Sequence, residues 1–297
     1  MPQINYLRKL SLAAVVVVTA CAVKEEPAVT AGADSSAVPG SAAASPTANV
    51  VTINASDYKF EAPEQIPAGL TTFKLVDTGK EPHHATLIKL TEGKTGADLQ
   101  AAMKTMKPGT PPPSWVVLAG GPNAIAPGGE ANATLVLEPG NYALVCFIPD
   151  PKGVPHFALG MVKPLTVTAA VTGTAPEPIP DITLRLSDYK FDWSKPLTAG
   201  LHTIRVETLP GQPHEVTLFQ LAPGKSLKDL MGWVESGMGG PPPAKPVGGI
   251  AGVAAGIPST FTIDLKPGDY AVVCFLEDHK DGKPHFVHGM TQTIKVT

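Results

Sequence analysis

The chain has 297 residues, of which 29 are glycine and 32 are proline, together about one residue in five. So many helix-breaking residues exclude a helical bundle, a coiled coil and a solenoid of helices. An apolar share of 43% and a formal net charge of only −3 exclude a wholly disordered chain. With 23 basic against 26 acidic residues, no basic excess is left for binding nucleic acid.

The N-terminus predicts a targeting signal rather than a part of the fold. Arg8 and Lys9 precede an apolar run from Leu10 to Ala20, which ends at Cys21. A basic start, a short apolar run and small residues before a cleavage site are typical of a secretory signal peptide. The run is too short to span a bilayer as a stable anchor.

The four residues from Val18 to Cys21 resemble the lipobox of bacterial lipoproteins, whose cysteine is acylated after cleavage. The resemblance implies a lipoprotein signal peptide at residues 1–20, a lipid anchor on Cys21 and a location in the cell envelope. Ala22 favours the outer membrane, although a periplasm-facing or extracellular side stays open. The alternative is an ordinary signal peptide with a chance cysteine.

A flexible tether is predicted after the cysteine, so that residues 21–49 comprise the lipidated Cys21 and this tether. The segment consists mainly of alanine, serine, proline, threonine and glycine, with almost no large apolar side chain. Such a segment cannot bury enough surface to offset the entropy lost on ordering.

The remaining sequence contains an internal repeat. Ser56–Phe60 returns as Ser187–Phe191, and the stretch Pro139–Phe147 returns with close similarity as Pro267–Phe275. A period near 130 residues indicates domain duplication. The predicted parts are a first domain at 50–168, a linker at 169–180 and a second domain at 181–297.

Each copy is predicted to consist mostly of β-strands, because short runs rich in valine, isoleucine, threonine and leucine lie between turn residues. This spacing predicts an all-β sandwich or barrel. One short helix interrupts each copy, at 97–106 and at 227–234, the second with Ser226 as N-cap. The predicted strands are 50–53, 71–76, 85–90, 133–137, 142–147 and 165–168, then 182–186, 203–206, 216–221, 260–265, 270–275 and 291–296.

Each copy also carries one cysteine at a strand end, followed by a loop, a histidine and, five positions later, a methionine. A Pro-His pair lies upstream in both copies. Two imidazoles and a thiolate with a weak axial thioether suit copper cycling between +1 and +2. The candidate ligands are His83, Cys146, His156 and Met161 in the first copy, and His214, Cys274, His285 and Met290 in the second.

With these motifs the chain resembles the cupredoxin family, the blue type 1 copper proteins. The stretch 139–161 is similar to the family's closing strand and ligand loop, and the resemblance covers about residues 50–168 and 181–297. It implies a Greek-key β-sandwich in each half, bound copper, and electron transfer or copper handling. Small cupredoxins usually have asparagine after the first histidine, where this chain has His84 and Glu215.

Other interpretations stay open at this point. The cysteines could be buried core thiols and the methionines core packing. A Cys146–Cys274 disulfide is a further option in an oxidising compartment, although each cysteine lies deep in its own domain's pattern and the two are expected to be too far apart. His279 follows Cys274 by five residues and could compete with His285. The repeated Asp57 and Asp188 are interpreted as strand ends rather than acid–base groups.

The predicted role is one-electron transfer to an unidentified redox partner protein, with membrane contact through the anchor. Multicopper oxidases and copper nitrite reductases often place a histidine directly before the cysteine, where this chain has Val145 and Val273, so an enzyme is not expected. The alternatives are a metal-free surface interaction module, and copper storage or delivery without redox cycling.

Overall fold

The computed structural model describes residues 48–105, 110–169 and 175–297. The predicted signal peptide, Cys21 and nearly all of the tether lie outside the described residues, as do residues 170–174 of the predicted linker. Within the described part of the chain, no helix is both long and apolar enough to cross a membrane.

β-Strands dominate the first half of the described chain, and one α-helix interrupts them. The elements of this half are β1 (Asn49–Ser56), β2 (Lys59–Glu61), β3 (Gln65–Pro67), β4 (Gly69–Asp77), β5 (Thr86–Leu90), α1 (Gly96–Thr105), β6 (Val116–Leu118), β7 (Glu130–Leu137), β8 (Gly140–Val145) and β9 (Val162–Thr168). A short 3₁₀-helix at His156–Leu159 lies between β8 and β9.

The second half repeats this pattern with fewer short strands. Its elements are β10 (Ile182–Ser187), β11 (Lys190–Trp193), β12 (Gly200–Thr208), β13 (His214–Leu221), α2 (Leu227–Glu235), β14 (Ala244–Val253), β15 (Ser259–Leu265), β16 (Gly268–Val273) and β17 (Thr291–Val296). A 3₁₀-helix at His285–His288 corresponds to the one in the first half. Ser226 caps α2 in a capping box with Asp229, as its sequence position predicts.

The expected all-β character, with one short α-helix in each half, is confirmed for the described residues. Every predicted strand overlaps an observed one, and the strands β2, β3, β6, β11 and β14 were not predicted. Most of these are only three or four residues long, whereas β14 has ten residues and carries Pro246 and two adjacent glycines. The Greek-key connection and the domain boundaries stay predictions.

The strands form three sheets, one of which runs through both halves. Its order is β11-β10-β12-β15-β7-β4-β1-β2, and the others are β3-β9-β8-β5-β6 and β14-β13-β16-β17. In β1 the alternate residues Val51, Ile53 and Ala55 are buried, as expected for a strand with one face on a core. The two largest apolar clusters lie one in each half, around Phe73 and around Phe261.

A second connection between the halves is made by main-chain hydrogen bonds between residues 118–126 and β14. The N–H of Gly120 donates to the carbonyl of Gly252 at 2.9 Å, and that of Ala251 donates to Gly121 at 2.9 Å. On its other side, the carbonyl of Pro122 in the same segment accepts a hydrogen bond from the N–H of Ala85 at 3.0 Å. Residues 118–126 therefore lie between the start of β5 and β14, and we call them the junction segment.

Two glycines allow the junction segment and β14 each to approach the neighbouring backbone of its own half closely. Gly121 and Gly249 both have positive φ, of 106° and 128°. A Cβ on Gly121 would collide with the carbonyl oxygen of Ala85, and one on Gly249 would collide with that of Val216. Since Ala85 and Val216 hold corresponding positions in the two copies, the same backbone approach is built twice.

Replacing Gly121 or Gly249 by alanine is expected to destabilise the protein through this collision. Gly128→Ala is the matched control, because Gly128 also has positive φ (76°) but an added Cβ meets nothing within 4 Å. The control should lose about 1–2 kcal/mol of unfolding free energy. Gly121→Ala and Gly249→Ala should each lose about 1–3 kcal/mol more. Urea denaturation measures the difference, and equal losses in all three variants would contradict the close approach.

Candidate metal centres

The first candidate centre brings together His83, Cys146 and His156. The Nδ1 atoms of the two histidines lie 3.1 Å apart. The Sγ atom of Cys146 lies 3.5 Å from the Nδ1 of His156 and 4.0 Å from that of His83. All three side chains are fully buried. Two nitrogens and one sulfur thus face one another in a compact triangle.

The loop after β8 returns His156 to Cys146 through backbone hydrogen bonds. The N–H of His156 donates to the carbonyl of Ile148 at 2.9 Å, and that of Phe157 donates to Cys146 at 2.9 Å. Inside the loop, Asp150 Oδ1 accepts the N–H groups of Lys152 and Val154. This turn explains why a histidine ten positions after the cysteine reaches the same site.

His83 is held by the junction segment. Its N–H donates to the carbonyl of Ile125 at 3.3 Å, and the N–H of Ile125 donates back to His83 at 3.0 Å. In the second half, His214 pairs with Val253 of β14. The first histidine of each centre is therefore positioned by the strands that connect the halves.

The second centre repeats the arrangement with His214, Cys274 and His285. The two Nδ1 atoms lie 3.1 Å apart, and the Sγ of Cys274 lies 3.4 Å from the Nδ1 of His285. The backbone N–H of Glu215 donates to this sulfur at 3.4 Å. These side chains are also fully buried, and the Cys–His loop is closed by a bond from the N–H of Phe286 to Cys274 at 3.0 Å.

Both predicted axial methionines lie beside their cysteines. Met161 and Met290 are fully buried, each in the same apolar cluster as the cysteine of its half. The N–H of Cys146 donates to the carbonyl of Met161 at 3.2 Å, and the N–H of Cys274 donates to Met290 at the same distance. The role of these eight residues as ligands stays a prediction.

In the metal-free protein, burial shifts the pKa values of both cysteines and of His83 and His285 toward the neutral forms. It raises the pKa of Cys146 to about 12, and together with the charge of Glu215 it raises the pKa of Cys274 as well. Burial and the neighbouring histidine lower the pKa of His83 and of His285 to about 4. Near neutral pH the rings of His83 and His285 are therefore neutral, while each thiol keeps its proton until a cation displaces it.

Carboxylates orient the outer nitrogens of the histidines in the first centre. The Nε2 of His156 lies 2.8 Å from Glu81, and the Nε2 of His83 lies 3.5 Å from Asp57. The hydroxyl of Tyr58 donates to the same Glu81 at 3.4 Å, and its ring packs edge-on against His156. A hydrogen bond such as that between His156 and Glu81 fixes the orientation of a metal-binding imidazole and strengthens it as a donor, whereas Asp57 approaches His83 without a hydrogen bond.

In the second centre, the carboxylate near the second histidine comes from a different segment of the chain. Asp188 lies 3.3 Å from His214, as Asp57 does from His83, but position 212 is a glutamine where the first half has Glu81. Here Asp278 of the Cys–His loop lies 3.9 Å from His285 and accepts hydrogen bonds from Gln212 and Tyr189. The two centres therefore share their donor atoms but differ in their outer contacts.

Sequence reasoning missed these outer contacts, although part of their signal was visible. The repeated Ser-Asp-Tyr-Lys-Phe motif places Asp57 and Asp188 directly after β1 and β10, so their interpretation as strand ends is confirmed. It did not show that both carboxylates also approach a histidine. Glu81 and Asp278 do not correspond between the copies, so the repeat could not single them out.

The structure also decides between the competing cysteine and histidine interpretations. His285, and not His279, lies with His214 and Cys274; His279 is exposed, and its N–H donates to Gln212. Cys146 and Cys274 are free thiols rather than a disulfide. Both are buried in apolar clusters, as core thiols would be, yet each sulfur faces two imidazoles.

Each triangle of donor atoms can hold a metal ion, because its three atoms lie within 4.8 Å of one another. Two imidazole nitrogens and a thiolate sulfur are a donor set that fits the copper predicted from the sequence. A third group, Asp278, Asp281 and His288, is partly exposed. Asp278 and Asp281 already accept bonds from Gln212 and Lys283, and His288 bonds to Asp281 within the group.

No family model matches the chain, and no curated protein does. Among solved structures, the chain is similar to reduced auracyanin from Roseiflexus castenholzii, with 20% identity over 41% of this chain and 99% of that chain, and a TM-score of 0.28. It is similar to auracyanin A, a blue copper protein from Chloroflexus aurantiacus, with 19% identity over 40% and 100%, and a TM-score of 0.28. It is also similar to blue copper oxidase from Nitrosomonas europaea, with 16% identity over 84% and 86%, and a TM-score of 0.23. At TM-scores this low, the candidate centres rest on the geometry described above.

The metal-free thiols are expected to react very slowly with a thiol reagent. In a Cys21→Ser background only Cys146 and Cys274 remain, and both are buried with raised pKa values, so little thiolate is available at pH 8. Absorbance with Ellman's reagent should show almost no reaction in buffer and two thiols per chain in denaturant. Rapid labelling in buffer would contradict the buried placement.

Proposed function

We propose that each centre binds one copper ion and that the protein passes single electrons to and from a partner protein. The observation that carries this proposal is a pair of histidine Nδ1 atoms 3.1 Å apart, with a cysteine sulfur 3.4–3.5 Å from the Nδ1 of the second histidine. This arrangement occurs twice in one chain. The proposal includes a cupredoxin-like Greek-key sandwich in each half. Met161 and Met290 are the proposed axial groups.

When bound, copper would supply a reversible one-electron change between +1 and +2. The protein's residues would hold it with little rearrangement. His83 and His214 are fixed by strand pairing, and His156 and His285 by the closed Cys–His loops. Because every donor side chain is fully buried, water is kept from the site. Preorganised, dry surroundings favour electron transfer over exchange of the metal.

We favour an electron carrier over an oxidase because of the residues beside the cysteines. Val145 and Val273 are fully buried in the positions where a histidine could connect the cysteine to a second copper centre. Neither side chain can bind a metal. Copper storage or delivery, and a metal-free interaction module, are the remaining outcomes that the following experiment separates.

The purified protein is expected to bind two equivalents of copper per chain, one at each centre. Cys146→Ala and Cys274→Ala should each lose one equivalent, and the double variant should lose both, because the thiolate is the strongest donor of each set. Copper analysis measures the stoichiometry, and Cu(II) should give an intense thiolate-to-copper band in the visible spectrum. His279→Ala is the control and should keep both equivalents.

Three outcomes would contradict the proposed electron carrier. Unchanged copper content in both cysteine variants would reject the ligand sets. Absence of copper from the unaltered protein would favour the interaction module. Tight Cu(I) binding without a reversible voltammetric response would favour storage or delivery.

The proposed location is the cell envelope, with Cys21 as the lipid anchor and residues up to 49 as the tether. Several acyl chains would anchor the protein durably, whereas one would not. Cys21→Ala should therefore move the protein from the membrane fraction to the soluble fraction, measured by immunoblotting after ultracentrifugation. Cys146→Ala is the control and should stay in the membrane fraction. Unchanged membrane association of Cys21→Ala would reject the anchor.

A further inference from the structure

A line of buried polar side chains lies between the two candidate centres. His84 is 8% exposed, Asn123 is 1% exposed and Glu215 is 4% exposed. His84 and Glu215 hold the same position in the two copies, directly after the first histidine of each centre. Asn123 belongs to the junction segment. Buried groups of this kind are costly unless each finds a hydrogen-bond partner.

At the first centre, His84 bonds to the residue that follows the cysteine. The N–H of Phe147 donates to the Nε2 of His84 at 2.8 Å. An imidazole nitrogen that accepts this bond is unprotonated. Burial lowers the pKa of His84 to about 4, in agreement with a neutral ring.

At the second centre, Glu215 takes the corresponding place. The N–H of Phe275, which follows Cys274, donates to the Oε1 of Glu215 at 2.9 Å. The backbone N–H of Glu215 also donates to the sulfur of Cys274. Each centre is thus bonded to its own buried polar side chain through the peptide after its cysteine.

Asn123 connects the peptides that follow these two side chains. The N–H of Ala85, the residue after His84, donates to the carbonyl of Pro122, the residue before Asn123, at 3.0 Å. The Nδ2 of Asn123 donates to the carbonyl of Val216, the residue after Glu215, at 3.1 Å. Hydrogen bonds and covalent bonds thus form a continuous buried path from Cys146 through His84, Asn123 and Glu215 to Cys274, which we call the bridge.

Packing alone does not require this path. Apolar side chains of similar volume would fill the same space without the cost of burying polar groups. The path also ends at the cysteine strand of both centres rather than at unrelated points of the interface. Chains of hydrogen bonds and covalent bonds couple electronic states better than gaps filled only by packed side chains do.

We infer that the two centres exchange electrons with each other through the bridge, so that the chain works as a two-centre relay. This inference rests on the proposed copper-binding function. In the exchange, one electron leaves the reduced centre, whose copper changes from +1 to +2, and reaches the oxidised centre, whose copper changes from +2 to +1. No proton moves and no covalent bond forms or breaks.

The test measures exchange between the centres after rapid one-electron reduction of the fully oxidised copper protein. A Met290→Gln background changes the axial group of the second centre alone, so that the two centres differ in spectrum and potential. Cys146→Ala and Cys274→Ala supply the reference spectrum of each single centre. Absorbance then follows the electron as it redistributes within one chain, at a rate independent of protein concentration.

Asn123→Leu removes the amide that connects the two sides and is expected to slow this exchange at least about tenfold, which corresponds to about 1.4 kcal/mol of barrier. Copper content and both charge-transfer bands should stay unchanged. Asn132→Leu is the matched control, because the Asn132 amide also connects the halves, by two bonds of 2.8 Å to Thr262, but lies outside the bridge. This control should exchange electrons at the unaltered rate.

A second variant and a metal-free measurement complete the test. Should Asn123→Leu fail to fold, Asn123→Ser removes the same amide with a smaller side chain and should also slow the exchange. In the metal-free protein, NMR should show slow solvent exchange of the Asn123 side-chain amide protons. Two bound coppers with undiminished exchange in the Asn123 variants would overturn the bridge, whereas absence of bound copper would overturn the proposed function instead.

Discussion

The main-chain pairing between the junction segment and β14 is the constraint on which the rest of the structure depends. It joins the two halves, and through Ile125 and Val253 it also holds His83 and His214, the first histidine of each centre. A strand pairing that positions both sites at once ties their geometry to the integrity of the interface. Loosening it would widen both triangles of donor atoms together rather than one at a time.

Much of this molecule could be predicted from its sequence because the same motif occurs in it twice. A cysteine at a strand end followed by histidine and methionine has little weight alone, but its repetition with an upstream histidine indicated both donor sets. The long strands were also predictable, since their alternating apolar residues face one core. β14 escaped prediction because its glycines and Pro246 have the composition of a loop. Among them, Gly249 is needed for close backbone contact with Val216, which only the partner strand reveals.

Features that depend on contacts between the copies could not be predicted in the same way. Asn123 has the appearance of an ordinary loop asparagine until the two halves are brought together. His84 and Glu215 were visible as departures from the asparagine usual in small cupredoxins. Their chemical difference concealed that the residues after them, Ala85 and Val216, both bond to the segment around Asn123. Glu81 and Asp278 approach equivalent histidines from different segments, so comparing the copies position by position separates them.

The different origin of these two carboxylates limits how the halves could be recombined. In the first half, Asp150 accepts backbone hydrogen bonds within its own loop, and Glu81 lies 2.8 Å from the Nε2 of His156. In the second half, the equivalent Asp278 accepts the backbone N–H of Lys280 through Oδ1, while its Oδ2 accepts bonds from Gln212 and Tyr189 and lies 3.9 Å from His285. A first-half loop transplanted into the second would meet no carboxylate at position 212 and would depend on Gln212 and Tyr189 to hold its own aspartate near the histidine. The outer contact of each Cys–His loop therefore depends on the residue at position 81 or 212.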